Sequence, residues 1–248
     1  KKCRASRRRR DRLTTPMPLT LIIGNKNYSS WSLRPWIAMK VAGIDFDEIV
    51  IPLYEPGSRE QALKYSPAGK VPVLIDGDQH VWESLAILEH LAEKFPDAHL
   101  WPQDARARSH ARVAASEMHA GFAALRRACP MNMWLPPKAR PQSHEVMADV
   151  ARIEALWSDC RARFGQKAEH GGPFLFGAFG AADAMYAPVV ARFHSFGLPV
   201  GEAARAYMDA VMGLPAWAQW RDAALKEPWI MRQNEPDWPL VRGITFSQ

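Results

Sequence analysis

The dipeptide Asp76-Gly77 lies between residues 71–75 and 79–82, two short runs rich in strand-forming side chains, and is the strongest hairpin signal in the chain. The first run carries Pro72 at its second position, and proline is disfavoured inside a central strand, so an edge or a special bend is expected there. Upstream, residues 19–23 form an apolar run closed by Gly24 and Asn25, which reads as a buried strand. Pro35 then suits the first turn of a helix starting at Arg34, with Gly43 as its stop. Residues 46–51 read as a second strand. Pro56 and Gly57 break it, and Ser58 caps a short polar helix through Lys64. After the hairpin, Leu85, Ile87, Leu88 and Leu91 recur at helical spacing across residues 84–94.

The resulting order, β-α-β-α-β-β-α, joins one parallel pair through a helix and closes with a hairpin and a helix, which is the thioredoxin-like plan. Residues 95–104, with Pro96 and Pro102, suit a linker, and no convincing strand follows. Val146, Val150, Ile153, Trp157 and Cys160 make one helical stripe, and further helices are expected at 105–128, 181–196, 201–212 and 215–226. The predicted organisation is a basic disordered tail at 1–16, an α/β thioredoxin-like domain at 17–95, a linker at 96–104 and an all-α bundle at 105–248.

The formal charge of +6 would point to nucleic acid if it were spread over the body of the chain. It is not. Residues 1–12 hold eight basic side chains against Asp11 alone, so the remainder is close to neutral at −1. Such a segment cannot bury a core. It reads as an extension ahead of a natural start at Met17, with an RNA-binding or targeting arm as the alternative. It has no apolar segment of the secretory kind, and no run in the chain is long enough to span a bilayer. Cys3, Cys129 and Cys160 are far apart, which fits a reducing compartment and excludes a paired-cysteine redox or zinc site. The eight histidines show no metal-ligand spacing, so no metal is expected.

Three local features carry chemistry. Between the first strand and the first helix lies Tyr28-Ser29-Ser30-Trp31-Ser32. Hydroxyls at a helix start, beside free N–H groups and the positive helix end, would favour a thiolate brought there; equally, they could be ordinary caps. Lys70-Val71-Pro72-Val73 could turn the Val71 backbone toward an extended peptide if the proline bond were cis, or form an ordinary trans turn. Glu83-Ser84, at the start of the third helix, could hold an amino group and a carboxylate, or be a solvated glutamate before a capping serine.

Taken together and in order, these segments resemble the serine-type cytosolic glutathione transferases, nearest the zeta and tau classes. Residues 29–44 are similar to that family's first-helix motif, 66–77 to its cis-proline segment, and Trp82-Glu83-Ser84-Leu85-Ala86-Ile87 to its γ-glutamyl-binding segment. In the second half, Phe174-Leu175-Phe176-Gly177, Ala182-Asp183-Ala184 and Ala187-Pro188-Val189-Val190 continue the likeness. The resemblance implies that Ser29, with Ser30 as runner-up, stabilises the glutathione thiolate. It further implies that Lys70 meets the glycine carboxylate, Val71 and Pro72 the cysteine backbone, and Glu83 and Ser84 the γ-glutamyl end. Asp183 would be structural. Trp31, Met118 and Phe122 are expected around the electrophile. Glutathione would be a cosubstrate, no further cofactor or metal would be needed, and a cytoplasmic homodimer is implied.

The implied activity is conjugation of glutathione to small hydrophobic electrophiles, of the detoxification type. Two departures stand out. Trp31 occupies the place of the zeta cysteine, which argues against the maleylacetoacetate-type cis-trans isomerase alternative, and Gly180 replaces the family's Ser or Thr before Asp183. A non-catalytic member that binds glutathione or a partner protein is the rival from another class, and a nucleic-acid partner would rest on the arginine tail alone.

Overall fold

The computed structural model describes residues 18–166 and 171–236, so the basic tail at 1–16 lies outside the described residues. Strand β1 (Leu19–Gly24) pairs in parallel with β2 (Phe46–Ile51) and antiparallel with β3 (Val73–Asp76), which pairs antiparallel with β4 (Gln79–Trp82). The sheet order is therefore β2-β1-β3-β4. Gly77 takes φ +63° in the β3–β4 turn, a conformation that glycine adopts without a Cβ penalty. The strand at the proline starts later than the sequence suggests. Pro72 has no N–H for the ladder, the Val71–Pro72 peptide is cis, and pairing begins at Val73.

Helix α1 (Ser30–Val41) begins four residues before the expected Arg34 and carries Pro35 in its interior. Proline removes one hydrogen bond there, the one Trp31 O would have accepted. Tertiary packing outweighs that loss, because Leu33, Trp36, Ile37 and Met39 are all buried. The short α2 (Ser58–Leu63) and α3 (Ser84–Lys94) complete the first half.

The second half is helical: α4 (Ala105–Ala120), α5 (Ala123–Ala128), α6 (His144–Cys160), α7 (Ala181–Ser195), α8 (Glu202–Met212) and α9 (Pro215–Ala224). Among its described residues only isolated bridges near Phe174–Ala178 have β character. The expected helical stretch 105–128 is broken at Gly121 and Phe122, and Phe122 sits at φ 59°. The predicted α6 stripe is buried throughout. The segment expected as a linker is anchored: Leu100 and Trp101 are buried, and Leu100 O accepts from Ala181 N at 2.7 Å.

Helix α7 lies at the centre, with nearly every residue buried, and packs against α1 and α4. The Arg34 Nε of α1 donates to Met185 O of α7 at 3.0 Å, tying the two halves together. Asp183 caps α7 by accepting from the N–H groups of Gly180 (2.9 Å) and Leu175 (3.0 Å). With glycine at the cap position, only the carboxylate half of a capping box exists.

Candidate active site at the start of helix α1

Ser29 stands at the N-cap of α1, yet its hydroxyl does not cap the helix. Its Oγ donates to Ser32 Oγ at 2.8 Å, so a thiolate at this site would have to draw that proton away from Ser32. Ser32 Oγ also accepts from Gly24 N at 3.0 Å. The plain capping alternative therefore fails for Ser29. Ser30 Oγ accepts from Arg192 Nη2 at 3.2 Å. A hydroxyl that already accepts keeps its own proton to donate.

These hydroxyls border a cleft of ≈ 1030 Å³, where Ser29, Ser30 and Trp31 face Lys70 and Val71. A smaller cavity of ≈ 280 Å³ is lined by Val71, Pro72, Glu83, Ser84 and His119. Trp31, Lys70, Val71 and Arg126 line both, so the two spaces adjoin. The structure thus gathers Ser29, Ser30, Trp31, Lys70, Val71, Pro72, Glu83 and Ser84 around one continuous depression. A third cavity of ≈ 490 Å³, near Trp101 and Asp183, contains none of them.

Two of the expected pocket residues belong elsewhere. Met118 is wholly buried and Phe122 nearly so; both join the main core, and neither lines the cleft or the smaller cavity. The apolar stripe faces the core because burying it removes the most apolar surface from water. Polar residues beside that stripe face the site instead. His119 meets Trp31 edge-on at 5.2 Å, its Nε2 is 3.9 Å from Glu83 Oε2, and its buried Nδ1 has no partner among the described residues. Met131, in the segment that follows α5, also borders the larger cleft.

Glu83 adopts φ 69°, a strained backbone for a residue with a Cβ, costing on the order of 1–3 kcal/mol. Its neighbour Ser84 is buried at the first position of α3, where helix N–H groups can meet a carboxylate. Trp31 is covered by guanidinium groups: Arg34 Cζ lies 3.9 Å and Arg126 Cζ 4.7 Å from its ring centroid. Nothing local in the sequence marks Arg126 or Arg192, which arrive from α5 and α7. No group of His, Cys, Asp and Glu able to hold a metal occurs among the described residues, and no described helix is long and apolar enough to cross a membrane.

A family model for the glutathione S-transferase N-terminal domain matches residues 28–94. Glutathione S-transferase 1 of Dianthus caryophyllus is 29% identical over 182 residues, covering 70% of this chain and 78% of its own length. A probable maleylacetoacetate isomerase of Caenorhabditis elegans is 36% identical over 85 residues, which span 34% of this chain and 40% of that relative. A glutathione transferase homologue from Burkholderia, solved with bound glutathione, superposes with a TM-score of 0.62 at 20% identity, covering 84% of this chain and 98% of its own. The fold is therefore that of a thioredoxin-like half followed by a helical half. Residues 28–94 thus carry the features of a glutathione S-transferase N-terminal domain, and the chain is similar to glutathione S-transferases over most of its length.

Proposed function

We propose that the protein binds glutathione across the smaller cavity and the adjoining end of the cleft, and transfers the thiol sulfur to a small electrophile. The observation that carries this reading is the start of α1, where hydroxyls not used for capping border the same depression as Lys70, Val71 and Ser84. In the proposed complex Lys70 meets the glycine carboxylate and the Val71 backbone pairs with the cysteine. Glu83 and Ser84 hold the γ-glutamyl ammonium and carboxylate. A serine hydroxyl, Ser29 or Ser30, donates to the thiolate. The sulfur lone pair then forms the new S–C bond as the leaving group departs with its electron pair. Positioning and thiolate stabilisation are the protein's contribution. Lowering the thiol pKa by two units requires about 2.7 kcal/mol, within reach of one charge-assisted hydrogen bond and a helix end.

The test is a pH titration of bound glutathione followed by thiolate absorbance, with Ser29→Ala and Ser30→Ala alongside. A bound thiol that titrates well below free glutathione, with the shift lost in one variant, supports the reading and names the hydroxyl. Binding without a shift would favour a glutathione-binding member without catalysis.

The likeness to the nematode protein keeps the isomerase alternative open. Turnover of maleylacetoacetate would decide it, and Trp31 at the zeta cysteine position speaks against it. The family pattern further supports proposals of a cytoplasmic homodimer and of domains at 17–95 and 105–248 joined by 96–104.

A further inference from the structure

The cavity of ≈ 490 Å³ near Trp101 shares no lining residue with the cleft or with the smaller cavity beside it. It lies where the connecting segment 99–104 meets the first turns of α4, the start of α7 and the turn after α6 at Arg163 and Phe164. Small side chains keep it open: Ala107 and Ala111, one turn apart on α4, line it together with Ala178 and Ala182. Gly180 lines it too, in the place where the resemblance implies serine or threonine. A Cβ there would stand 2.8 Å from Leu100 O, so a side chain at 180 and the close approach of the connecting segment exclude each other. In an interior that is otherwise close-packed, larger residues at these positions would erase the space.

The polar groups along the cavity decide the chemistry of its occupant. Arg163 Nη1 donates to Asp159 Oδ2 at 3.2 Å, and Asp104 Oδ1 accepts from Ala107 N at 2.8 Å. His99 Nδ1 and Gln103 Nε2 are 3.2 Å apart, and the Asp183 carboxylate is engaged by the N–H groups of Gly180 and Leu175. Each charged or amide side chain of the lining thus already has a partner. Trp101 is 6% exposed, and its buried Nε1 has no partner among the described residues. An indole N–H can only donate, and leaving it unpaired out of water is costly, so one acceptor atom is what this lining lacks. The rest of the wall is aromatic or aliphatic, with the Phe164 and Phe176 rings stacked at 5.7 Å.

We propose that this cavity is a second binding site, separate from the cleft, for a small, neutral, mostly apolar molecule with one acceptor oxygen, such as an aryl ketone. The ring lies among the aromatic and alanine side chains, where its apolar surface leaves water, and the carbonyl oxygen accepts from Trp101 Nε1. A charged ligand would find no unpaired counter-charge among the described residues of the lining. The volume falls within the range of small-molecule pockets, roughly 300–1,000 Å³. The site stands apart from the glutathione reading, because the two share no residue.

Acetophenone and ethylbenzene test this, because they differ only in a carbonyl against a methylene. Both are titrated into the full-length protein, with and without saturating S-hexylglutathione to fill the cleft, and followed by ligand-observed NMR. Two variants separate site from chemistry. Ala178→Trp sets a bulky ring at an exposed position of the lining, and Trp101→Phe keeps an aromatic wall while removing the N–H.

Saturable binding of acetophenone is expected in the presence of S-hexylglutathione, with loss in Ala178→Trp. The preference for the ketone over the hydrocarbon, read as the ratio of their Kd values, should fall about fivefold in Trp101→Phe, the size of one neutral hydrogen bond. Full displacement by S-hexylglutathione would move the ligand to the cleft and overturn the proposal. So would binding that survives Ala178→Trp unchanged, or the absence of saturable binding in the wild type. A ketone preference unmoved in Trp101→Phe would overturn the assigned ligand class, and that comparison stands even if the Ala178→Trp chain does not fold.

Discussion

Asp183 is fully buried, and desolvation pushes its carboxyl up to about 6 despite the opposing N–H donors of Leu175 and Gly180. An unfolded aspartate titrates near ~3.9, so between that value and about 6 the native state holds the extra proton. This group's contribution to stability is therefore greatest at low pH and is lost as pH rises through that window, by up to roughly 3 kcal/mol. Asp183→Asn removes the titration while leaving one acceptor for the two donors. Urea midpoints at several pH values should fall from pH 4 to 7 more steeply in the wild type than in the variant; parallel curves would contradict the assignment. Asp183 was legible in the sequence through its motif. Arg192, nine residues further along the same helix, was not, because the contact that gives it meaning is with Ser30, 162 positions away.

At the scale of elements, the segment after α9 acts as a strap over the loop that presents the serines. The Glu227 carboxylate accepts from Lys26 N at 2.6 Å and Asn27 N at 2.9 Å. Trp134 Nε1 donates to Ala224 O at 2.8 Å, Asn132 Nδ2 donates to Asn234 O at 3.1 Å, and the Tyr28 hydroxyl donates to Glu235. Tyr28 and Trp134 meet edge to face at 5.6 Å, with Met231 in the same small cluster. Glu227→Ala would strand two buried amides, destabilising the fold by about 2 kcal/mol or more. It should also move the bound thiol pKa toward that of free glutathione, because the loop carrying Ser29 loses its anchor. Denaturant midpoints together with the thiol titration check both effects. A loss of stability with an unmoved thiol pKa would reduce the strap to scaffolding.

For the molecule as a whole, one apolar cluster runs from Leu21 and Leu74 of the sheet, through Trp36 of α1 and Met185 of α7, to Trp157 and Trp220. The two halves have different secondary structure but no separate main cores. A shared core couples their unfolding. Far-UV circular dichroism and tryptophan fluorescence should therefore report one coincident denaturant transition. Two separated transitions would show that the halves unfold independently and that the contacts between α1 and α7 are weak.

The order of strands and helices was readable because it depends on local rules: apolar period, glycine and proline punctuation, and the turn preference of Asp76-Gly77. The same rules misplaced two boundaries, since burial of α1 carried the helix back past Pro35 and the missing N–H of Pro72 delayed β3. Ser29, Ser30, Lys70, Glu83 and Ser84 could be named from sequence because each sits at the start or edge of an element that the local pattern reveals. Whether Met118 or His119 faces the site depended on which side of a helix the rest of the fold covers. Tertiary structure alone brought Arg126, Arg192 and Glu227 to the first loop, because packing of α7 and the strap against α1 is a property of the whole chain and leaves no periodic trace in it.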